Sequence, residues 1–196
     1  MGNLVLFMHV SLDGFVAGLN GEMDWIHIDE GIFDYIAERI GATDCALYGR
    51  KTYQMMEDYW PTAASQPNAT KHDIEHSRWY NNVAKVVLSK TLHETSNTNT
   101  KVISDHLYDE ITKLKQSTDK EILIFGSPTA AHSLMAAELI DRYWLFVNPV
   151  LLGQGIPVFK DIKNKTALML VTSHVFPSGV VCLHYDQKDG TDKLSS

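Results

Sequence analysis

Three short polar segments each follow an apolar run whose composition predicts a buried strand. They are Gly49-Arg50-Lys51-Thr52 after residues 44–48, Ser89-Lys90 after residues 83–88, and Gly126-Ser127-Pro128-Thr129 after residues 121–125. Helical patterns follow the first and third segments, and the N–H groups that begin a helix attract anions. Arg50 and Lys51 add positive charge. Each segment alone is also typical of a solvated turn, but together they predict a site for phosphate groups.

The order of the elements predicts that these segments meet. Strands alternate with helices up to residue 150, and two more strands, 167–176 and 180–186, are joined by Pro177-Ser178-Gly179. This pattern predicts an α/β fold with a mixed, mostly parallel sheet and a C-terminal antiparallel hairpin. Ligands of such sheets bind beyond the carboxyl ends of the parallel strands. We expect one domain over residues 1–187 and a polar, flexible tail over residues 188–196.

Local signals predict details of the strand ends. Gly49 is expected to let the chain turn sharply and let a ligand approach the backbone. A short helix is expected over residues 52–58, ending before Pro61. Asp105 is expected to cap a helix that runs through Gln116, and Pro128 suits the first position of another.

Composition limits the classes of protein. The chain has 196 residues, a formal net charge of −7 and 44% hydrophobic residues. An acidic chain lacks the basic face of a general nucleic-acid binder, so no nucleic-acid partner is expected. The N-terminus lacks the basic region of a signal peptide, and the apolar stretch at residues 143–152 is too short to span a bilayer. We therefore expect a cytoplasmic protein without a membrane partner.

Carboxylates near the N-terminus are candidates to supply or steer a proton. Asp13, Asp24, Asp29 and Glu30 lie in or beside the first loop, and Trp25 could form part of an apolar wall. Each acid also has a structural interpretation, as a turn former, a loop residue, a helix cap or a solvated first-turn residue. The sequence leaves both interpretations open.

One motif predicts different chemistry. Residues 72–76, His-Asp-Ile-Glu-His, match the H-x-x-E-H pattern of some zinc proteases. The third metal ligand is not signalled, and the surrounding residues are polar, so an exposed helix is favoured and no metal is expected. Ser127 does not fit the G-x-S-x-G pattern of a hydrolase nucleophile.

Four motifs in order resemble the dihydrofolate-reductase-like superfamily. They are S-L-D-G-F-V-A-G at residues 11–18, Y-G-R-K-T-Y at 48–53, I-F-G-S-P-T at 124–129 and V-N-P-V-L-L-G-Q-G-I-P-V-F at 147–159. The branch most similar comprises stand-alone proteins related to the C-terminal reductase domain of bifunctional riboflavin-biosynthesis enzymes. The resemblance implies a three-layer α/β domain that binds NADPH.

The resemblance also implies roles for individual residues. It assigns the segment 49–52 to the cofactor phosphates, Ser89 and Lys90 to the 2′-phosphate and adenosine, and the segment 126–129 to the pyrophosphate. Val10 and Ala17 would flank the nicotinamide. Glu30 and Trp25 lie near the acid and the tryptophan of dihydrofolate reductases, and Asp13 is a further catalytic candidate.

The implied function is an NADPH-dependent reductase of a small heterocycle. The substrate would resemble a 5-amino-6-ribosylaminouracil phosphate or a pterin. The alternative is an NADP(H)-binding module on the same fold without turnover. A homodimer is also implied, and late strands with exposed apolar residues such as Trp144 and Phe146 would form its interface.

Overall fold

The chain forms ten strands and five helices within residues 1–95, 97–162 and 164–188, the ranges that the computed structural model describes. The strands are β1 (Leu4–Ser11), β2 (Phe15–Ala17), β3 (Thr43–Gly49), β4 (Ala84–Leu88), β5 (Thr100–Ile103), β6 (Glu121–Phe125), β7 (Arg142–Asn148), β8 (Ile156–Pro157), β9 (Leu168–Val175) and β10 (Val181–Gln187). The helices are α1 (Glu30–Ile40), α2 (Arg50–Ala63), α3 (Lys71–Asn82), α4 (Leu107–Gln116) and α5 (Pro128–Ala136).

Eight of the strands form one sheet, in the order β5-β4-β3-β6-β1-β7-β10-β9. The first six run parallel, whereas β10 pairs antiparallel with both β7 and β9. The predicted mixed, mostly parallel sheet with a C-terminal antiparallel hairpin is therefore confirmed. A second sheet, β2 with β8, was not predicted and joins the first loop to the loop after β7.

Both faces of the sheet are covered, because successive side chains of a strand point to opposite sides. On β1, Leu4 and Leu6 face a core that also contains Ile111 of α4 and Leu134 of α5. Val5 and Phe7 face the other core, together with residues from α1, α2 and α3 such as Ile32, Tyr53 and Tyr80. The fold consequently has three layers, helices on each side of the sheet, as predicted.

Two predicted helix boundaries were wrong. Helix α2 continues past Asp58 to Ala63 and contains Pro61. Pro61 cannot donate the helical hydrogen bond, and the last turn packs against α3, with 4.0 Å between the ring centroids of Trp60 and His76. Helix α4 begins at Leu107 with His106 at its N-cap, so Asp105 is not the cap.

The expected exposure of Trp144 and Phe146 was also wrong. Both side chains are fully buried, since α1 covers that face of β7 and the strand is paired on both edges. The exposed apolar residues of the C-terminal hairpin lie on β9 instead: Met169, Leu170, Val171 and Val175. Of the predicted tail, residues 189–196 lie outside the described ranges.

The two histidines of the H-x-x-E-H segment lie on α3 and pack against aromatic rings. His72 stacks on Phe33 with 3.5 Å between ring centroids, and His76 contacts Trp60. Burial is the main cause that lowers the pKa of His76 to about 3. Within the described residues, no three His, Cys, Asp or Glu side chains are grouped as a metal site would require. The geometry therefore favours a structural role for this pair.

The half-buried His76 predicts a pH-dependent stability. Its pKa is lower in the folded chain than the 6.5 of the free side chain, so the unfolded chain takes up the proton first as the pH falls. We expect the free energy of unfolding to fall by about 2 kcal/mol from this group between pH 7 and pH 5. Denaturant titrations of His76→Phe should show a smaller decrease than those of the exposed-site variant His93→Phe. Equal decreases in the two variants would refute the assignment.

Candidate functional site

The three polar segments come together at one edge of the sheet. Strands β4, β3 and β6 are neighbours, and the register aligns Gly49 with Leu88 at their carboxyl ends. A cavity of about 880 Å³ opens there. Its lining includes Gly49, Arg50, Lys51, Thr52, Ser89, Lys90, Ser127, Pro128 and Thr129, together with Asn20, Ser104 and Asp105.

Two helix N-termini face this cavity. Helix α2 begins after Gly49 and α5 begins with Pro128 after Ser127, and neither has a side chain capping its first N–H groups. Neither first turn contains an acidic residue. The N-terminal ends therefore keep their partial positive charge and their donors for a ligand. The exposed side chains of Arg50, Lys51 and Lys90 add formal positive charge to the same cavity.

Ser127 joins two of the segments. Its Oγ accepts a hydrogen bond of 2.7 Å from the N–H of Gly49 and donates one of 2.6 Å to Oγ1 of Thr52. Since the Thr52 hydroxyl acts as acceptor in this bond, its own proton remains available for a ligand. Ser127 adopts a left-handed backbone conformation with φ of 58°, which aims its side chain at β3. Ser127 thus positions the cleft rather than offering a free hydroxyl to a ligand.

Glycine at position 49 is explained by close packing against Ser127 and not by the sharp turn that the sequence predicted. Its φ of −85° suits any residue. A Cβ atom at this position would lie 2.8 Å from Oγ and 2.9 Å from Cβ of Ser127. The absence of a side chain therefore permits the close approach of β3 to the loop after β6.

Replacing Ser127 with alanine is expected to lower the free energy of unfolding by about 1–3 kcal/mol, because the buried N–H of Gly49 loses its acceptor. Ser133 provides the matched control. It lines the same cavity, but its hydroxyl bonds to the carbonyl of Thr129 in its own helix. Denaturant unfolding of the Ser127→Ala and Ser133→Ala proteins tests this, and equal losses would contradict the role of Ser127.

A second cavity of about 380 Å³ adjoins the first. Both are lined by Gly21, Lys51, Thr52, Ser127, Pro128 and Ile156. The remaining lining residues are almost entirely apolar: Phe7, Met8, Val16, Ala17, Met23, Ile26, Met55, Met56, Phe125 and Gly126, with His9 as the exception. A ligand held in the first cavity could therefore extend one end into an apolar chamber.

His9 was not among the predicted site residues. It lies on the same face of β1 as Phe7, where its ring stacks on Phe146 with 4.9 Å between centroids. Its Nδ1 lies 3.3 Å from Nδ2 of Asn148 on β7. Burial lowers the pKa of His9 to about 4, so the ring is neutral at pH 7. The available signal was a histidine inside an otherwise apolar strand, two residues beyond Phe7.

The predicted cofactor residues, with the exception of Val10, line one of the two cavities. The side chain of Val10 is buried in the core on the other face of the sheet. The hydroxyl of Ser89 accepts hydrogen bonds from the N–H groups of Thr91 and Leu92, so it shapes the turn after β4. The binding roles stay predictions, now with a common location.

The predicted catalytic residues lie elsewhere. Asp13 accepts hydrogen bonds from Ser11 and from the N–H groups of Leu152 and Gly153, which hold the loop after β7. The bond from Ser11 is the main cause that lowers the pKa of Asp13. Trp25 donates to the carbonyl of Glu22, and Glu30 is exposed in the first turn of α1. None of Asp13, Trp25 and Glu30 is among the residues lining either cavity, so the geometry does not favour a catalytic role for them.

The strand order and the two layers of helices define the class of fold, an α/β domain of the dihydrofolate-reductase-like type. The model of the RibD C-terminal domain family matches residues 3–182, and the chain belongs to that family. The chain is 33% identical over 186 residues to the uncharacterized protein YyaP of Bacillus subtilis (strain 168). The aligned region covers 93% of each of the two chains. Membership confirms the resemblance noted from the motifs.

Solved structures of similar fold agree with this family membership. A putative riboflavin biosynthesis protein from Shewanella sp. PV-4 has a TM-score of 0.71 and 25% identity, covering 96% of this chain and 100% of that one. Dihydrofolate reductase from Enterococcus faecalis, complexed with NADP(H), has a TM-score of 0.62 and 16% identity, covering 95% and 97%. The second likeness shows the fold alone.

Within the described residues, no helix is long and apolar enough to cross a membrane.

Proposed function

We propose that the protein is an NADPH-dependent reductase of a small, flat substrate. The observation that carries this proposal is the cavity of about 880 Å³ in which two uncapped helix N-termini meet Arg50, Lys51 and Lys90. These groups suit a ligand with several phosphates, and family membership supports a reductase.

The residues present fit the cofactor. The N-termini of α2 and α5 and the Thr52 hydroxyl would hold the pyrophosphate, while Arg50, Ser89 and Lys90 would hold the 2′-phosphate and adenosine. Bound there, the cofactor would supply hydride, and the protein would supply orientation and an apolar chamber. The nicotinamide end would extend toward the second cavity, where Ala17 lies on the wall.

Titration with NADPH, followed through nicotinamide fluorescence, tests the proposal. We expect saturable binding at micromolar concentrations. An absence of binding at high micromolar NADPH would refute the proposed function.

A binding module without turnover is the second candidate. It is favoured by one observation, that the carboxylates of Asp13 and Glu30 are not among the groups lining the cavities. Binding of NADPH without its oxidation across a panel of pterins, pyrimidines and quinones would support this candidate over the reductase.

A second copy of the chain is the proposed protein partner. Strand β9 is the last strand of the sheet, and its residues Leu168–Val175 carry no Lys, Arg, Asp or Glu, although such charges protect free edges from pairing. Met169, Leu170, Val171 and Val175 are about half exposed or more. Antiparallel pairing of two β9 strands would cover both edges, and light scattering should give the mass of a homodimer. We also propose that the protein acts in the cytoplasm, where NADPH is available as a reductant.

A further inference from the structure

The chemistry of the second cavity limits the substrate. Among the residues that the structure describes, Lys51 is the one with a formal charge on the lining of this cavity, and it lies on the wall shared with the first cavity. Under the proposed function, the cofactor phosphates would neutralise that charge. No carboxylate from the described part of the chain lines the cavity. A phosphorylated substrate would lose its hydration here without gaining an ion pair with a cation. The N–H groups along the edge of a pterin would have no carboxylate to accept their hydrogen bonds.

The apolar lining suits a flat ring. Met8, Met23, Met55 and Met56 lie around it, and Phe7 and Phe125 contribute aromatic surface. Methionine side chains are flexible and polarisable, so they adapt to flat molecules of different outline. About 380 Å³ is within the range of small-molecule sites.

His9 provides a directed polar group in this lining. The Asn148 side chain accepts a hydrogen bond from the N–H of His27 through Oδ1 and donates to the carbonyl of Phe146 through Nδ2. This orientation turns the Asn148 N–H₂ group, which also lies 3.4 Å from the carbonyl of Val10, toward Nδ1 of His9. An amide nitrogen cannot accept a hydrogen bond, so the contact assigns the acceptor role to Nδ1. The single proton of the neutral ring therefore lies on Nε2, the nitrogen not used by Asn148.

We propose that the second cavity binds uncharged, flat, conjugated carbonyl compounds, whose oxygen accepts a hydrogen bond from the Nε2–H of His9. The inference rests on the proposed function for the source of hydride. As the new C–H bond forms, the electron pair of the C=O bond moves to oxygen, where the His9 N–H stabilises the negative charge. Water then protonates the oxygen, and NADPH is oxidised to NADP⁺. His9 remains neutral throughout, and Asn148 is the positioning residue that holds its tautomer.

Binding of three probes to the protein saturated with NADP⁺ tests the proposal by calorimetry. Coumarin is flat, uncharged and carries a conjugated carbonyl, coumarin with a ring carboxylate adds a negative charge, and naphthalene lacks the carbonyl. We expect coumarin to bind at least tenfold more tightly than its carboxylate. His9→Phe, which keeps the stacking on Phe146, should weaken coumarin about fivefold to tenfold and leave naphthalene unchanged.

The control variants separate a hydrogen bond from a change of shape. His9→Gln keeps an N–H donor and should retain most of the affinity for coumarin, and His93→Phe should change nothing. If His9→Phe does not fold, His9→Met takes its place. The proposal is overturned if the carboxylate binds as tightly as coumarin, or if removal of His9 affects coumarin and naphthalene equally.

The outcomes distinguish this inference from the proposed function. The binding measurements are repeated with the protein without cofactor. If His9 is then still needed to discriminate between the probes, the cavity assignment is supported even if NADPH does not bind. Normal binding of NADPH without this discrimination would overturn the inference alone.

Discussion

Replacing Arg50 with alanine is expected to weaken NADPH binding at least tenfold and to leave NADH binding nearly unchanged. Arg50 is exposed at the start of α2, on the wall of the larger cavity. Its guanidinium can donate two parallel hydrogen bonds to the 2′-phosphate, which NADH lacks. A hydrogen bond to a charged group contributes about 1.5–3 kcal/mol, which corresponds to at least a tenfold change in affinity. Fluorescence titrations with both nucleotides measure the ratio.

Arg78 supplies the control for this experiment. It is exposed on α3 and does not line the cofactor cavity, so Arg78→Ala should bind both nucleotides as the parent protein does. Equal losses for NADPH and NADH in Arg50→Ala would mean that Arg50 does not contact the 2′-phosphate. If the parent protein prefers NADH, Asp105 on the same wall is the expected acceptor of a hydrogen bond from a ribose hydroxyl.

Replacing Gly49 with alanine is expected to disrupt both stability and nucleotide binding. The added methyl group would lie 2.8 Å from the Oγ of Ser127, and Ala130 is 3.4 Å away on the same side. Ser127 would have to move, which would break its hydrogen bonds to Gly49 and Thr52 and separate the two helix N-termini. We expect a loss of about 1–3 kcal/mol in the free energy of unfolding and a loss of at least tenfold in NADPH affinity.

Gly41→Ala is the matched control. Gly41 follows α1 with an ordinary right-handed φ of −59°, and the nearest atom to an added Cβ is 3.7 Å away. This substitution should be neutral or slightly stabilising, because it restricts only the unfolded chain. A Gly49→Ala protein as stable and as competent for binding as Gly41→Ala would show that the close contact with Ser127 is unimportant.

The alternation of strands and helices determined the fold class from the sequence. Local patterns also located the three polar strand ends, because an apolar run followed by glycine or serine and a helix start is a short-range signal. The strand order then placed the ends of β4, β3 and β6 side by side. The sequence alone therefore predicted nine of the twenty residues that line the larger cavity, through their types and their position after a strand.

The predicted carboxylates show the limit of local reasoning. Asp13 is a plausible proton donor by type, but it bonds to Gly153, 140 residues away, and holds a loop. The exposure of an apolar strand is decided in the same way. Trp144 is buried because α1 and two neighbouring strands cover it, whereas β9 pairs on one edge only within the described residues. Nothing within either strand distinguishes these surroundings.

The sequence by itself determined the alternation of strands and helices in this protein and its family, and it predicted a phosphate site at the strand ends, since these inferences depend on neighbouring residues. Only the tertiary structure decided how the candidate site is held together and which residues line its apolar chamber. Ser127 lies 78 residues from Gly49, and Asn148 lies 139 residues from His9. Contacts between such distant residues leave no periodic pattern along the chain, because they arise only when the sheet has set its strand order and register.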